Sequence, residues 1–450
     1  MKLYYDIHDK PKFPQLIVFA FQQLLAIMAA TIAVPAVIND ACGTTLSSSA
    51  ALFGAGVGTI VYLLLTKSKS PVFLGSSFAF IGPMITAFGG AISMAAGYIG
   101  LIIGAVMAGL VYVIIAIVVK FCGTKWINKL LPPVIIGPTV AIIGLSLAGS
   151  AIGQVTTSNV TGGSAYVCLI CALVTLFVAM AIATYGKKIS KLIPFIIGIL
   201  AGYATATIFY FIGKWTGNAS LIIIDYSAFV NCGIFSLPDF TFLKGGMDGL
   251  KAINGTYIVT LLAAYVPVAF VVFAEHLADH KNLSSIIGTD LLEEPGLSRT
   301  LLGDGIGSMV GAFFGGCPNT TYGESIACVA ITRNASTISI WGAAITCILF
   351  SLISPLTAFL QTVPTAVMGG VCIALYGFIS ISGLKMCQKV DFNKNRNLFV
   401  ASVIFITGVG GMVVTFGAVE IRTVACSLIL GILANIMLSK EKDEEESADK

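Results

Sequence analysis

The feature that most constrains this chain is a near-unbroken succession of apolar runs. Each is about as long as the ~20 residues a helix needs to cross a bilayer, and Gly, Pro and single charges separate them. Composition points the same way. Of 450 residues, 57% belong to the apolar and aromatic set and 10% are charged, against about 25% charged in soluble domains, and the mean hydropathy is +0.96. No water-soluble globule has that balance, so the chain reads as an all-α polytopic membrane protein with the lipid bilayer as its surroundings. The net charge of +4 is scattered in ones and twos. That excludes a nucleic-acid partner, because neutralising phosphates needs a basic face.

Cysteines such as Cys168, Cys171, Cys347, Cys372 and Cys426 fall within apolar runs, where a thiol acts as a small hydrophobe. Cys168 and Cys171 have zinc-like spacing but no partner pair, and no metal site is expected. Residues 1–12 are polar and lack the apolar core and cleavage site of a signal peptide, so the first apolar run is expected to stay in the mature protein.

Runs bounded by Gly, Pro and charge cover residues 14–37, 46–66, 97–119, 132–152, 165–184 and 192–212. A second group covers 257–275, 300–316, 337–356, 364–382, 398–417 and 421–438. Two more segments, 72–88 and 318–332, are apolar enough for membrane depth but broken by Gly, Pro and polar residues. Counting both predicts fourteen crossings. With the N-terminus in the cytoplasm, all but Lys214, Lys244, Lys251 and Arg422 of the 25 Lys and Arg residues fall on inner segments, as the positive-inside rule requires. The expected organisation is a cytoplasmic N-terminus (1–13), a first seven-span repeat (14–213), an extracellular connection (214–255), a second seven-span repeat (256–438) and a cytoplasmic tail (439–450). Seven spans per half make the repeat inverted, and each half carries its broken segment third. Inverted repeats with interrupted spans are the signature of a secondary transporter whose site lies near the midplane.

Four carboxylates lie at or near membrane depth: Glu275, Asp279, Asp304 and Glu324. Each costs about 2.5–3.5 kcal/mol at the bilayer centre on the insertion scale, so each is a functional candidate. Glu275 and Asp279, four apart, share a helix face, and such a pair can carry a proton. The alternative is that residues 275–281 are simply the polar cytoplasmic flank of the span. Neither His276 nor His280 has a spacing that demands a metal.

The stretch Pro318-Asn319-Thr320-Thr321-Tyr322-Gly323-Glu324-Ser325 reads as a strand leading into a helix, with Thr321 as N-cap and Thr321 to Glu324 matching a capping box. On that reading Glu324 completes its own helix terminus. On the other, a helix start at membrane depth offers N–H groups to a ligand, and Gly323 lets the ligand approach the backbone. Gly75-Ser76-Ser77-Phe78-Ala79-Phe80 supplies a matching helix start in the other half. Opposed N–H donors with Glu275 and Glu324 as acceptors disfavour an anion and give a metal cation no use for the donors. They suit a flat, neutral molecule with alternating C=O and N–H groups, such as a nucleobase, with Phe78, Phe80 or Tyr322 on its ring face.

These residues resemble a known family. Asn319-Thr320-Thr321-Tyr322-Gly323-Glu324, followed by Thr332-Arg333, is similar to the signature of the nucleobase/ascorbate transporter family, specifically its bacterial uracil:proton symporter branch. Gly75 to Phe80 and Ala274-Glu275-His276 resemble two further motifs, and the likeness runs from about residue 15 to residue 438. It implies core and gate domains, a homodimer through the gate, and an elevator-like shift of the core in the cell (plasma or inner) membrane. Carried over, Glu275 and Glu324 would bind the N–H and carbonyl edge of uracil, the backbone N–H groups of Phe78 and Gly323 would donate to its carbonyls, and Tyr322 would line the site. Glu275, Asp279 and Glu324 would carry the coupling proton, with Ser77, Gln23, Asn319, Thr321, Ser325 and Asp304 in support and no cofactor. Asp279 stands where uracil members often have His, Gln23 where His is frequent, and Ser325 where Asn is common. A purine symporter for xanthine or urate is the alternative. A channel lacks its charged ring, a membrane enzyme its catalytic constellation, and two carboxylates argue against an anion transporter.

Overall fold

The computed structural model describes residues 3–123, 132–187, 190, 193–230, 232–388, 390–416, 419–421 and 423–439. Lys2, Lys125, Lys129, Lys188, Lys191, Lys389, Arg422, the span ends Leu192 and Gly417, and the tail 440–450, all used above, lie outside the described residues.

The first half of the chain builds α1 (Phe13–Cys42), α2 (Ser48–Leu65), β1 (Leu74–Ser76), a 3-10 turn (Phe78–Phe80) running into α3 (Ile81–Gly89), α4 (Met94–Cys122), α5 (Pro133–Ser146), α6 (Ala148–Gln154), α7 (Ala165–Tyr185) and α8 (Pro194–Thr216). After the connection come α9 (Thr241–Lys251), α10 (Gly255–Ile287), α11 (Leu297–Gly315), β2 (Asn319–Thr321), α12 (Gly323–Thr332), α13 (Thr337–Ser351), α14 (Ser354–Thr362), α15 (Thr365–Cys387), α16 (Asn395–Val409), β3 (Val414–Phe416), β4 (Val419–Ile421) and α17 (Thr423–Met437). Local chemistry sets many of the boundaries. Proline opens α1, α5 and α8, where its missing N–H costs nothing. Ser47, Ser93 and Asn254 accept backbone N–H groups as N-caps, and Gly43, Gly217, Gly288 and Gly316 close helices in the left-handed conformation. Among the described residues, eight helical stretches are long and apolar enough to cross a membrane, α5 and α6 together counting as one.

Several runs differ from their expected form. Residues 132–152 fold as α5 and α6 with a break at Leu147, and 337–356 ends at Ser351 before α14 begins. The run 398–417 is helical only to Val409. Gly410 and Gly411, the latter at φ +68°, stop it, and the β-forming Val414-Thr415-Phe416 pairs antiparallel with Val419-Glu420-Ile421. The connection 214–255 contains α9, packed on α4. The run 257–275 extends as α10 through Ile287, so Glu275 lies well inside a helix.

Packing sorts the elements into two groups. In the first, α2 and α4 both pack on α11, α2 and α1 on α13, and α10 on α4. In the second, α15 packs on α5 and α7, α7 on α8, and α16 and α17 on each other and on α5. Lesser contacts of α1 with α8 and α15, and of α10 with α5 and α17, join them. Residues 4–7 belong to the first group: Tyr4 N–H donates to the Arg333 carbonyl (2.8 Å), Ala335 N–H to that of Tyr5 (2.9 Å) and Thr337 N–H to that of Ile7 (3.1 Å).

One close crossing is glycine-made. Gly303, Gly307, Gly311 and Gly315 recur every fourth residue on α11 and face α2, with Gly307 against Gly58, Gly311 against Gly54, Gly303 against Tyr62 and Gly315 against Ala50 and Ala51, the small-residue spacing that lets membrane helices touch through their backbones. The gap admits Asn319 of β2, whose Nδ2 donates to the Gly54 carbonyl at 3.2 Å. A Cβ at Gly58 would lie 2.7 Å from the Gly307 carbonyl oxygen and 2.6 Å from Asn319 Nδ2. Gly58→Val should therefore cost about 1–3 kcal/mol through overpacking, visible as a lowered melting temperature of the purified protein, while Gly82→Ala, where a Cβ meets nothing, should leave it unchanged.

Candidate functional site

The site begins with a backbone problem. The two broken segments place non-helical backbone among buried residues, where each unpaired N–H or C=O costs several kcal/mol in hydrocarbon. The chain solves it by pairing β1 with β2 antiparallel, Leu74 opposite Thr321 and Ser76 opposite Asn319. Side chains complete the pairing: Leu74 N–H donates to Thr59 Oγ1 (2.9 Å), Phe73 N–H to Ser325 Oγ (3.1 Å), and the Tyr322 hydroxyl to the Ser76 carbonyl (2.6 Å). Because the strands run antiparallel, the helical turns at Phe78 and Gly323 start at opposite ends of the ladder with their N-termini facing each other.

A cavity of about 480 Å³ lies between the two groups of helices at these starts. One wall carries Ser77, Phe78, Glu275, Asp279, and Thr320 to Glu324; the other is apolar, with Val140, Ile143, Phe195, Leu375 and Phe378. Lys385, exposed near the end of α15, also lines it. Of the residues singled out above, Glu275, Glu324, Phe78, Gly323, Tyr322, Asp279, Ser77 and Thr321 meet here. Gln23, Asn319, Ser325 and Asp304 stand outside the lining. Gln23 Nε2 donates to the Ser325 carbonyl at 3.3 Å, so Gln23, Asn319 and Ser325 hold the strand pair and the start of α12. Phe80 also stands outside: it stacks on Tyr265 with centroids 5.7 Å apart, whereas Phe78 meets Tyr376 edge-on at 5.7 Å.

The capping box is not formed. Strand β2 persists through Thr321, the N-cap falls on Tyr322, and no side chain caps α12. The Thr321 hydroxyl instead donates to Asp279 Oδ2 at 2.7 Å. The first N–H groups of α12 thus have no helical acceptor. A Cβ at Gly323 would meet nothing within 4 Å, so neither protein packing nor a positive φ demands glycine there, and its missing side chain leaves the helix start open to the cavity.

The solvated-flank reading of residues 275–281 is overturned, because His276 and His280 are 0% exposed. Behind the cavity, His276 Nδ1 lies 2.7 Å from Asp304 Oδ2 and its Nε2 3.0 Å from Thr300 Oγ1. His280 Nδ1 donates to the His276 carbonyl at 2.8 Å. That leaves Nε2 as the acceptor nitrogen, 2.8 Å from the Tyr62 hydroxyl and 3.4 Å from Ser70 Oγ, with Tyr62 in turn donating to Ser70 at 2.7 Å. The two rings stack at 4.0 Å. The i, i+4 spacing of the histidines was the available signal, but it does not reveal partners on α2 and α11. The apolar wall from α5, α8 and α15 carried no signal beyond hydrophobicity.

Comparisons with known proteins bear on the family and the fold. The sequence pattern of a family described as a permease family matches residues 14–417. The uracil permease of Bacillus caldolyticus is 38% identical over 96% of this chain and 94% of its own. That of Bacillus subtilis (strain 168) is 35% identical over 99% and 97%, and that of Escherichia coli (strain K12) 36% over 95% and 92%. Among solved structures, the transmembrane domain of the cyanobacterial bicarbonate transporter BicA has a TM-score of 0.61 at 16% identity, over 96% of this chain and 100% of that one. The murine Slc26a9 anion transporter in its inward-facing state has 0.60 at 14% identity, over 96% and 69%. At such identities the likeness is one of fold.

Removing Asp304 leaves the His276 ring nitrogen without its acceptor in a fully buried position. Asp304→Ala is expected to lower stability by about 1–3 kcal/mol, read as a drop in melting temperature, with Asp304→Asn recovering part of the loss by restoring a hydrogen-bonding side chain.

Proposed function

This chain belongs to the permease family, and from that premise we propose that it imports uracil across the cell (plasma or inner) membrane together with a proton. It is a transporter of the multi-pass membrane type, not an enzyme. The relatives named as uracil permeases, which align over nearly the whole chain, support the substrate. The observation that carries the reading is the cavity itself, in which Glu275, Asp279 and Glu324 share one wall with two opposed helix starts.

In this mechanism the N–H edge of uracil meets Glu324 and Glu275, its carbonyls take backbone N–H groups at Gly323 and Phe78, and Tyr322 and Phe78 flank the ring. Ser77, Thr321, Gln23, Asn319, Ser325 and Asp304 position these groups. The carboxylates Glu275, Asp279 and Glu324 also hold the coupling proton. An ionised, empty site is costly to carry past a dry barrier, so protonation and loading together permit transit.

The finer architecture is part of the same proposal. The chain crosses fourteen times as a 7+7 inverted repeat, 14–213 and 256–438, with β1–α3 and β2–α12 as the third, broken span of each half. The first packing group acts as the core and the second as the gate, the core shifts along the gate like an elevator, and two copies associate through the gate. Segments 1–13 and 439–450 face the cytoplasm and 214–255 the outside. The matched interruptions, the division of the helices and the charge asymmetry support this arrangement.

The test is uptake of radiolabelled uracil into proteoliposomes under an inward proton gradient, with cold uracil, thymine, xanthine and urate as competitors. Accumulation that a protonophore abolishes and only pyrimidines compete is the expected result; competition by xanthine would move the substrate to a purine, and absence of nucleobase uptake would overturn the proposal. Glu324→Ala should lower uptake by about tenfold to a hundredfold, the loss of one hydrogen bond to a charged group. Glu275→Gln should abolish proton-driven accumulation, and persistence of that accumulation would remove Glu275 from the coupling role. Gly323→Val, which meets no protein atom at its Cβ, should keep the wild-type melting temperature yet weaken uracil binding.

A further inference from the structure

Two of the passages that the chain makes between its two packing groups are tied to each other. The first is the connection after α8. Its early part belongs to the second group: Ser164 N–H at the start of α7 donates to the Ser220 carbonyl (2.7 Å), the Tyr226 and Thr207 hydroxyls lie 2.6 Å apart, and the Tyr226 and Tyr210 ring centroids 5.0 Å apart. Its late part belongs to the first group: Phe240 meets Phe53 of α2 and Phe314 of α11 edge-on at 5.0 and 5.4 Å, and α9 packs on α4. The second passage runs from α13 to α15. On α13 the Cys347 thiol donates to the Leu52 carbonyl of α2 at 3.1 Å. On α14, Phe359 and Thr362 lie against Tyr203 of α8, at 4.9 Å between ring centroids and 2.8 Å between hydroxyls.

Where they cross, the two stretches pair. Phe235 bridges Ile353 in antiparallel sense, with Ser236 N–H donating to the Leu352 carbonyl and Ser354 N–H to that of Ile234, both at 3.0 Å. The two bonds flank the Phe235–Ile353 pair, the arrangement in which facing side chains come closest. Together they contribute about 1–3 kcal/mol. Chain length sets a stricter limit. Only Leu352 and Ile353 separate the end of α13 from the start of α14, and three Cα-to-Cα steps reach no more than about 10–11 Å. At this end the two groups cannot part far without unwinding a helix.

The far end of the same seam is built differently. From Thr365, where α15 starts, to Lys385 is about 30 Å at 1.5 Å per residue. There Ile331 of α12 and Lys385 and Met386 of α15 line the cavity from its two sides, and exposed Lys385 marks its mouth. We infer that the ribbon formed by residues 234–236 and 352–354 is the pivot of the core. The inference rests on the core and gate roles proposed above and adds a fixed point to the shift between them. A rigid body held at one end moves in proportion to the distance from that end. The core therefore moves least beside the ribbon and most at Lys385, and the mouth of the Glu275–Glu324 site opens and closes while the ribbon stays joined.

The pivot is tested by severing the ribbon and by locking it. Ser236→Pro removes one N–H donor at an exposed position. Phe235→Cys with Ile353→Cys, in a Cys232→Ser background, places a disulfide across a pair whose Cα separation of about 4.5 Å in this arrangement accepts one. Uptake of radiolabelled uracil into proteoliposomes should fall about fivefold in Ser236→Pro, the loss of one hydrogen bond. The oxidised cysteine pair should transport as well as the wild type and should restore Ser236→Pro when combined with it, with reductant removing the rescue. Uptake blocked by the disulfide would mean that the two crossings must part, and overturns the pivot; so does full uptake by reduced Ser236→Pro. Hydrogen exchange separates this inference from the proposed function. In the wild type the Ser236 and Ser354 amides should exchange about tenfold or more slowly than unstructured ones, with and without uracil. Exchange at the unstructured rate overturns the pivot whatever the substrate, whereas protected amides in a wild type that takes up no uracil overturn the proposed function and leave the tie between the groups standing.

Discussion

Three residue pairs of antiparallel ladder, Leu74–Thr321, Gly75–Thr320 and Ser76–Asn319, make the site possible. A membrane helix cannot simply stop among buried residues, because its freed backbone groups have no water to turn to. By breaking two segments at once and pairing the extended stretches with each other, the chain satisfies that requirement and gains two helix N-termini aimed inward. The ladder in turn needs room. The glycine row on α11 provides it by letting α2 come close, and Asn319 fills the remaining gap with an amide. Gly75 is constrained in the same way, since a Cβ there would run into the Tyr322 ring and the Thr31 hydroxyl.

The fold alone does not choose the ligand, for it is shared with a bicarbonate transporter and an anion transporter. In the proposed function that choice falls to the side chains on the ladder side of the cavity. Three carboxylates there, set against Lys385 on the other side, make a poor home for an anion and a good one for a molecule that donates protons in hydrogen bonds. The stacked histidines behind them, tied to Asp304, Thr300 and Tyr62, join α10 to α11 and α2 along the flank next to Glu275 and Asp279.

Much of this was legible in the sequence because hydrophobicity and backbone breakers are local signals. The long helices follow from apolar run length, and the two interrupted segments from Gly, Pro and polar residues at 72–88 and 318–332. The convergence of Glu275, Glu324, Phe78 and Gly323 followed from the resemblance as well as from reasoning about donors and acceptors. What failed were inferences that need a third partner. Thr321 looked like a helix cap, but the cap depends on where β2 ends, and pairing with β1 carries the strand one residue too far. The two readings of the 275–281 stretch, proton-carrying pair or solvated flank, stayed open because its charges were visible and the buried partners of His276 and His280, on distant helices, were not. The pairing of β3 with β4 was hidden where one apolar run ends and the next begins, since hydropathy does not distinguish strand from helix. The every-fourth-residue glycines of α11 were readable as a close-packing face.

The first described residues are stitched by main-chain hydrogen bonds to residues 333–337, directly after the helix that carries Glu324. That stitch gives the molecule a built-in handle. A fluorophore near Tyr4 is rigidly indexed to the carboxylate wall, while one on α7, whose outer face shows Tyr166, Ile170, Leu173 and Phe177, is indexed to the apolar wall. The distance between such a pair reads the relative position of the cavity's two halves directly, with no label inside the cavity itself.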